Sequence, residues 1–312
     1  MGKLAYVFPG QGSQAVGMLA DLAAEHQTVE ATFKEASEAL GYDLWQLVQS
    51  GPEEQLNQTE FTQPALLAAS IAVWRVATES GAARPDVVAG HSLGEYSALV
   101  AADALEFADA VRLVQQRGQF MQTAVPVGQG GMAAVLGLED DVVRDICEKS
   151  TSGLELVQAA NYNAPGQVVI AGSNAGLALA IEALKEAGAK RAMPLAVSAP
   201  FHSALMKPAA EKMAAVLAEV AIQTPTLHII QNVDADYCSE PEQIRANLVA
   251  QMYSAVLWTD TVRKLAADGV SMVVECGPGK VLSGLNKRID KSLNSLSINS
   301  SDSLTSTLEA LA

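Results

Sequence analysis

The sequence predicts an α/β protein whose larger part is wound around a mainly parallel sheet and which carries a small inserted domain. Short apolar runs of strand length at Leu4–Phe8 and Val87–Ala89 are each followed by a glycine-containing turn and then by helical periodicity. That alternation builds parallel sheets. Residues 125–197 follow a different rhythm, β-α-β-β-α-β, the order of a ferredoxin-like unit. With 312 residues, 49% of them hydrophobic, the chain has enough apolar material for one large core and a smaller one.

Taken in order, Leu4–Phe8 reads as a buried strand ending in the polar turn Pro9-Gly10-Gln11-Gly12-Ser13-Gln14. Met18, Leu19, Leu22 and Ala23 mark a helix, and Leu66, Leu67, Ile71, Trp74 and Val76 mark another. After the Val87–Ala89 strand, helices around Tyr96–Ala101 and Leu105–Met121 complete the first part of the large domain, residues 1–124. Within 125–197, strands are expected at Met132–Leu138, Leu156–Asn161, Gln167–Gly172 and Arg191–Val197, with helices at Asp140–Lys149 and Asn174–Ala187. The large domain resumes over 198–290 with a helix at Lys207–Val220, whose Pro208 falls in the first turn, where its missing N–H is tolerated. There follow the apolar run Leu227–Ile230, helices around Pro241–Gln251 and Trp258–Asp268, the strand Met272–Glu275, and the tight turn Cys276-Gly277-Pro278-Gly279-Lys280 leading into Val281–Ile289. Residues 291–312, serine-rich and weakly periodic, read as a loosely packed tail.

Charge and cysteine content narrow the function classes. Twenty Lys and Arg against 35 Asp and Glu give a formal charge of −15, a surface that repels nucleic acid. An anionic substrate would need its own local cation. The three cysteines, Cys147, Cys238 and Cys276, form no C-x-x-C pair, so neither a disulfide framework nor a metal site is expected. A cytoplasmic setting follows as the expectation. Leu4–Phe8 reads as a first strand rather than an export signal, and no segment reaches the roughly 20 apolar residues that span a bilayer.

The chemistry is concentrated at Gly90-His91-Ser92-Leu93-Gly94, a glycine-bounded serine between a strand and a helix. Glycines permit a sharp turn, so Ser92 Oγ can project while the N–H of Leu93 points toward a developing oxyanion. A nucleophile at a carboxyl strand end makes the large domain α/β-hydrolase-like and points to acyl transfer. The hydroxyl needs a base, and the histidines are four. His26 lies on a polar helix surface, His91 adjoins the serine on a turn where neighbouring side chains diverge, and His228 sits in the apolar run Leu227–Ile230. His202, in Ala199-Pro200-Phe201-His202-Ser203 just beyond a strand, is the expected base, with a hydrogen-bonded loop histidine as the alternative. The residue behind it stays open. Asp234 and Asp236 are candidates and equally good turn residues; the other option is a dyad whose imidazole is held by a carbonyl.

Six ordered motifs carry a resemblance. Gly10-Gln11-Gly12-Ser13-Gln14, Gly90-His91-Ser92-Leu93-Gly94-Glu95-Tyr96, Gln115-Gln116-Arg117-Gly118, Phe201-His202-Ser203, Asn232-Val233 with Ala235, and Glu275-Cys276-Gly277-Pro278-Gly279-Lys280-Val281-Leu282 together resemble the malonyl-CoA:acyl carrier protein transacylases of fatty acid synthesis. The similarity runs over about residues 4–290. It departs at Ser254-Ala255-Val256, where many members have a proline before the valine, and at Cys276, where valine or isoleucine is commoner.

The resemblance implies a large α/β domain with a ferredoxin-like insertion and a ping-pong transfer of malonyl from coenzyme A to the thiol of acyl carrier protein. By it, Ser92 carries the malonyl ester, His202 moves the protons, and the backbone N–H groups of Gln11 and Leu93 form the oxyanion hole. Arg117 clasps the malonyl carboxylate through its planar fork. The carbonyl that orients the histidine lies near Gln251, Gln63 is a site-wall residue, and Phe201 is the bulky neighbour of malonyl-selective members. It implies no metal and no cofactor beyond the malonyl-CoA substrate, with acyl carrier protein as partner of an expected monomer. The competing readings are a serine thioesterase or esterase using the same Ser92 and His202, and a scaffold in which Ser92, His202 and Arg117 need not converge.

Overall fold

The computed structural model describes residues 2–126, 128–197 and 199–312. Nine strands occur along these residues: β1 (Lys3–Phe8), β2 (Val87–Gly90), β3 (Gly130–Leu136), β4 (Val157–Ala164), β5 (Gln167–Ser173), β6 (Arg191–Pro194), β7 (His228–Ile230), β8 (Val270–Cys276) and β9 (Asn294–Ile298). One sheet has the order β7-β2-β1-β8-β9, with every pair parallel. The other has the order β4-β5-β3-β6, with every pair antiparallel.

Central β1 is apolar and buried from Leu4 to Phe8, as a parallel strand covered on both faces must be. One face packs against the 21-residue helix Thr59–Glu79, whose Leu66, Ile71 and Val73 lie in the main core. The other face carries Ala5 and Val7 into a second cluster around Trp258 and Val262. The chain adds β2 and β7 on one side of β1, then β8 and β9 on the other. Phe8 and Gly90 are register partners, so the loops after β1 and β2 leave the sheet side by side, where such sheets form their ligand crevice.

The antiparallel sheet is built entirely between Gly130 and Pro194, with the helices Asp140–Ser150 and Asn174–Glu186 packed on it. Its strands differ from expectation at their ends. β4 continues to Ala164 through two irregularities, and β6 stops at Pro194. Ser198, in the segment expected to lead to the histidine, lies outside the described residues.

Two stretches depart from the sequence reading. The expected loose tail instead supplies β9, paired with β8, and a helix at Ser301–Leu311 that buries Leu304 and Thr307. Serine is structural here. Ser300 and Ser303 bond reciprocally in a capping box that starts the helix, so a composition typical of loops marks a helix terminus. The helices Gln27–Leu40 and Leu44–Ser50 are the second departure, each with its own buried face.

Candidate active site

β2 ends at Gly90 and the next helix begins at Gly94, which leaves three residues for the whole turn. A Cβ on Gly90 would stand 1.9 Å from the Gly94 carbonyl carbon, and one on Gly94 would stand 2.1 Å from the Phe8 carbonyl oxygen. Only glycine fits either position. Ser92 takes φ 53°, a left-handed conformation that costs a non-glycine residue energy and pushes its side chain out of the turn. Its N–H donates to Asn232 Oδ1 at 2.7 Å, which holds the strained residue in place. Leu93 follows at the helix N-terminus, where backbone N–H groups lack intrahelical partners. Gly10 packs so that a Cβ there would meet the His91 carbonyl oxygen at 2.5 Å, bringing the Gln11 turn against the serine turn.

His202 Nε2 lies 2.7 Å from Ser92 Oγ. Its Nδ1 lies 2.8 Å from the main-chain oxygen of Gln251. A carbonyl only accepts, so Nδ1 carries the proton and Nε2 is left as the acceptor facing the serine. Burial, and then the Arg117 charge, lower the His202 pKa from 6.5 to about 3, which keeps the imidazole neutral. Among the described residues no carboxylate bonds to this imidazole: Asp234 Oδ2 accepts from Asn247 at 3.5 Å, and Asp236 pairs with Lys264 at 3.7 Å. The arrangement is the dyad. Two of the other histidines are engaged elsewhere, and His26 sits far from the site at the junction of the helices Ala20–Glu25 and Gln27–Leu40. His91 bonds Asn163 at 2.8 Å, and His228 is exposed on the sheet edge against Tyr237.

Arg117, on the helix Phe107–Thr123, is 1% exposed. Nη1 donates to Gln63 Oε1 at 2.9 Å, and Nη2 donates to Gln251 Oε1 at 2.7 Å and to Ser92 Oγ at 3.2 Å. Its direct partners are neutral oxygens. A buried guanidinium held by neutral oxygens keeps the capacity to pair with a carboxylate.

These side chains line a cavity of about 250 Å³ between the two sheets. Gln11, Gln63, Ser92, Arg117, Phe201 and His202 face it from one side, and Asn163 and Gln167 face it from the antiparallel sheet. The loop that lacks a proline before Val256 is tied down by backbone bonds, Val256 N–H to Ala160 at 2.9 Å and Tyr162 N–H to Val256 at 3.0 Å. Cys276 is fully buried, and burial pushes its thiol up, as for a packing residue rather than a nucleophile. Among the described residues, no cluster of three or more His, Cys, Asp or Glu is arranged to hold a metal ion. Nor is any helix long and apolar enough to cross a membrane.

The sequence motifs include Asn232 and Glu95 but assign neither a task. Asn232 holds the nucleophile's backbone, and Glu95 is a fully buried carboxylate beneath the turn. No periodicity or local spacing signals either role, since the partners are more than 130 residues apart in sequence.

Comparison with known proteins gives a consistent picture. Residues 5–302 match the family model described as "Acyl transferase domain". The malonyl CoA-acyl carrier protein transacylase of Haemophilus influenzae is 57% identical over 300 residues, 96% of each chain. The solved acyl carrier protein S-malonyltransferase of Vibrio cholerae superposes with a TM-score of 0.96 at 55% identity, covering 97% of this chain and 99% of that one. A malonyl-transacylase solved in complex with its type II PKS acyl-carrier protein, in the holo form, gives a TM-score of 0.97 at 52% identity and covers 99% of both chains.

Proposed function

This chain belongs to the acyl transferase domain family, and we propose that it moves a malonyl group from coenzyme A to the phosphopantetheine thiol of acyl carrier protein through an ester on Ser92. His202 Nε2 takes the Ser92 proton as Oγ attacks the thioester carbonyl. The tetrahedral oxyanion is met by the N–H groups of Gln11 and Leu93, where charge develops. Collapse breaks the C–S bond, and His202 returns its proton to the departing sulfur. The second half runs in reverse: the carrier thiol gives its proton to His202, its sulfur attacks the ester, and Ser92 leaves as the hydroxyl.

The observation that carries this reading is the convergence of Ser92, His202 and Arg117, with the guanidinium bonded to Ser92 Oγ and otherwise to amide oxygens. A thioesterase or esterase needs the first two residues but has no use for a buried cation beside the nucleophile. In this reading Gln63 and Gln251 hold the cation in place and Phe201 limits acyl bulk. The reaction uses malonyl-CoA as substrate and needs no further cofactor. The protein works as a cytoplasmic monomer.

An acidic carrier meeting an acidic enzyme needs a cationic landing area. Val281, Leu282 and Leu285 of the helix Val281–Ile289 line the cavity, and Arg288 from its last turn donates to the cavity residue Gln167 at 2.8 Å. Lys280, Lys287, Arg288 and Lys291 on this side, and Lys190 with Arg191 on β6 and just before it, are all exposed. We assign carrier docking to the face they form.

Incubation with labelled malonyl-CoA, peptide mapping and then addition of acyl carrier protein tests the reaction. A label on Ser92 that persists in water and leaves on addition of the carrier is the expected result. Loss to water without a thiol would make the protein a hydrolase.

A further inference from the structure

We propose that Glu95 is a positioning residue for this reaction: its carboxylate holds Gln251 and Asn232 so that nucleophile, base and substrate arginine share one rigid frame. The inference rests on malonyl transfer at Ser92 and adds a residue that touches neither substrate nor reacting atoms.

Glu95 is 1% exposed, three residues after the nucleophile on the helix Gly94–Ala101. Its Oε1 accepts from Gln231 Nε2 at 3.0 Å. Its Oε2 accepts from the Asn232 N–H at 2.8 Å and from Gln251 Nε2 at 3.2 Å. All three partners are donors, so an acceptor-only carboxylate matches them and an amide would not.

What lies beyond those partners gives the carboxylate its reach. Gln251 touches all three working residues: its main-chain oxygen accepts from His202, its Oε1 accepts from Arg117 at 2.7 Å, and its Nε2 donates to the Ser92 carbonyl at 2.9 Å. Flipping the Gln251 amide would set its NH2 against the guanidinium, and Glu95 and the Ser92 carbonyl, which only accept, oppose that flip. Asn232 accepts the Ser92 N–H on Oδ1 and donates from Nδ2 to the Gly90 carbonyl at 2.6 Å, spanning the strained turn. One carboxylate therefore anchors both the side chain that joins base to arginine and the side chain that fixes the nucleophile's backbone. Asn247 Nδ2 backs the cluster by donating to Gln231 Oε1 at 2.7 Å.

Packing alone does not call for a charge here. Glu95 bonds no cation directly, and burial raises its pKa from 4.5 to about 7 against the pull of its hydrogen bonds and of Arg117. A group kept at a cost to stability, in contact with two residues that organise the chemistry, is explained by what it organises.

Single-turnover malonylation of Ser92, normalised to active sites titrated by stoichiometric malonyl capture, provides the test. Glu95→Gln should lower the maximal acylation rate about 10- to 100-fold, the scale of a misplaced reacting group. The malonyl-CoA concentration giving half-maximal rate should change little, and acetyl-CoA should suffer the same rate loss, because Arg117 itself remains. In a Gln251→Ala background the same substitution should add less than about 3-fold, since residues acting through one another are not additive. Glu95→Asp, which keeps the charge but withdraws it by one methylene, gives a second arm should Glu95→Gln fail to fold, and should show the same rate loss. Wild-type rates in the variants, or full additivity with Gln251→Ala, would overturn the positioning role. No ester on Ser92 in the parent protein would instead overturn the malonyl-transfer reading.

Discussion

Arg117 Nη2 lies 3.2 Å from Ser92 Oγ, so the cation assigned to the substrate carboxylate is bonded to the nucleophile itself. In the proposed reaction a carboxylate entering the site competes with Gln63 and Gln251 for the guanidinium, and the acyl group it belongs to arrives beside the hydroxyl, so that one side chain couples recognition to attack.

Arg117→Ala should therefore separate substrates that differ only in a carboxylate. Malonyl loses a charge-assisted hydrogen bond, about 1.5–3 kcal/mol, or about 10- to 100-fold in kcat/KM. Acetyl has no such bond to lose. Parallel kcat/KM measurements on the two thioesters check this, and equal losses would return Arg117 to a role in folding or in holding coenzyme A. The same variant should raise the His202 pKa above about 3, because the Arg117 charge is the second cause of its depression after burial. Imidazole titration by NMR reads that shift.

His202→Ala should reduce malonyl capture by about 10²- to 10⁴-fold, the usual worth of acid–base assistance. The cooperative unfolding transition should persist. Rapid-quench measurement of Ser92 ester formation gives the rate, and a near-parental value would move the base elsewhere.

Reversing Lys287 and Arg288 to glutamate should raise KM for acyl carrier protein and leave malonyl capture from coenzyme A intact. The effect should be larger at low salt, where exposed charges are less screened. Unchanged carrier kinetics across that salt range would place docking on another face.

The raised pKa of Glu95 has a signature in stability. Between pH 4.5 and about 7 the folded protein retains a proton that the unfolded chain has released, so this group's contribution falls as pH rises through that window. Glu95→Gln has no proton to lose. Its stability relative to the parent should rise from pH 4.5 to above 7, read as the difference between the two urea midpoints. A difference independent of pH would mean that Glu95 ionises as an ordinary carboxylate.

How much of this was legible in the sequence depended on whether the signal was local. The serine turn was readable because Gly90, Ser92 and Gly94 lie within five residues of one another, although the demand for glycine at position 94 comes from Phe8 on the neighbouring strand. His202 could be reached by elimination among four histidines, and its carbonyl partner was among the options left open. Arg117 was reached only through resemblance, since an arginine on an amphipathic helix looks the same whether it faces solvent or a buried amide. Glu95 and Asn232 have their purpose in bonds across the fold, which no window along the chain contains. The terminal strand and helix were hidden for a different reason: serine there caps and pairs, although its composition is that of a loop.

The nucleophile and its base are 110 residues apart, and the antiparallel sheet is folded wholly within the loop between them. The carbonyl that sets the base's tautomer comes 49 residues later still. During synthesis the order of appearance is thus serine, arginine, a complete small sheet, histidine, and finally Gln251. A growing chain that stops short of Gln251 holds a hydroxyl and a guanidinium but no correctly protonated imidazole to activate them. The reactivity proposed toward thioesters is therefore complete only once Gln251 has been added, after the small sheet and the histidine.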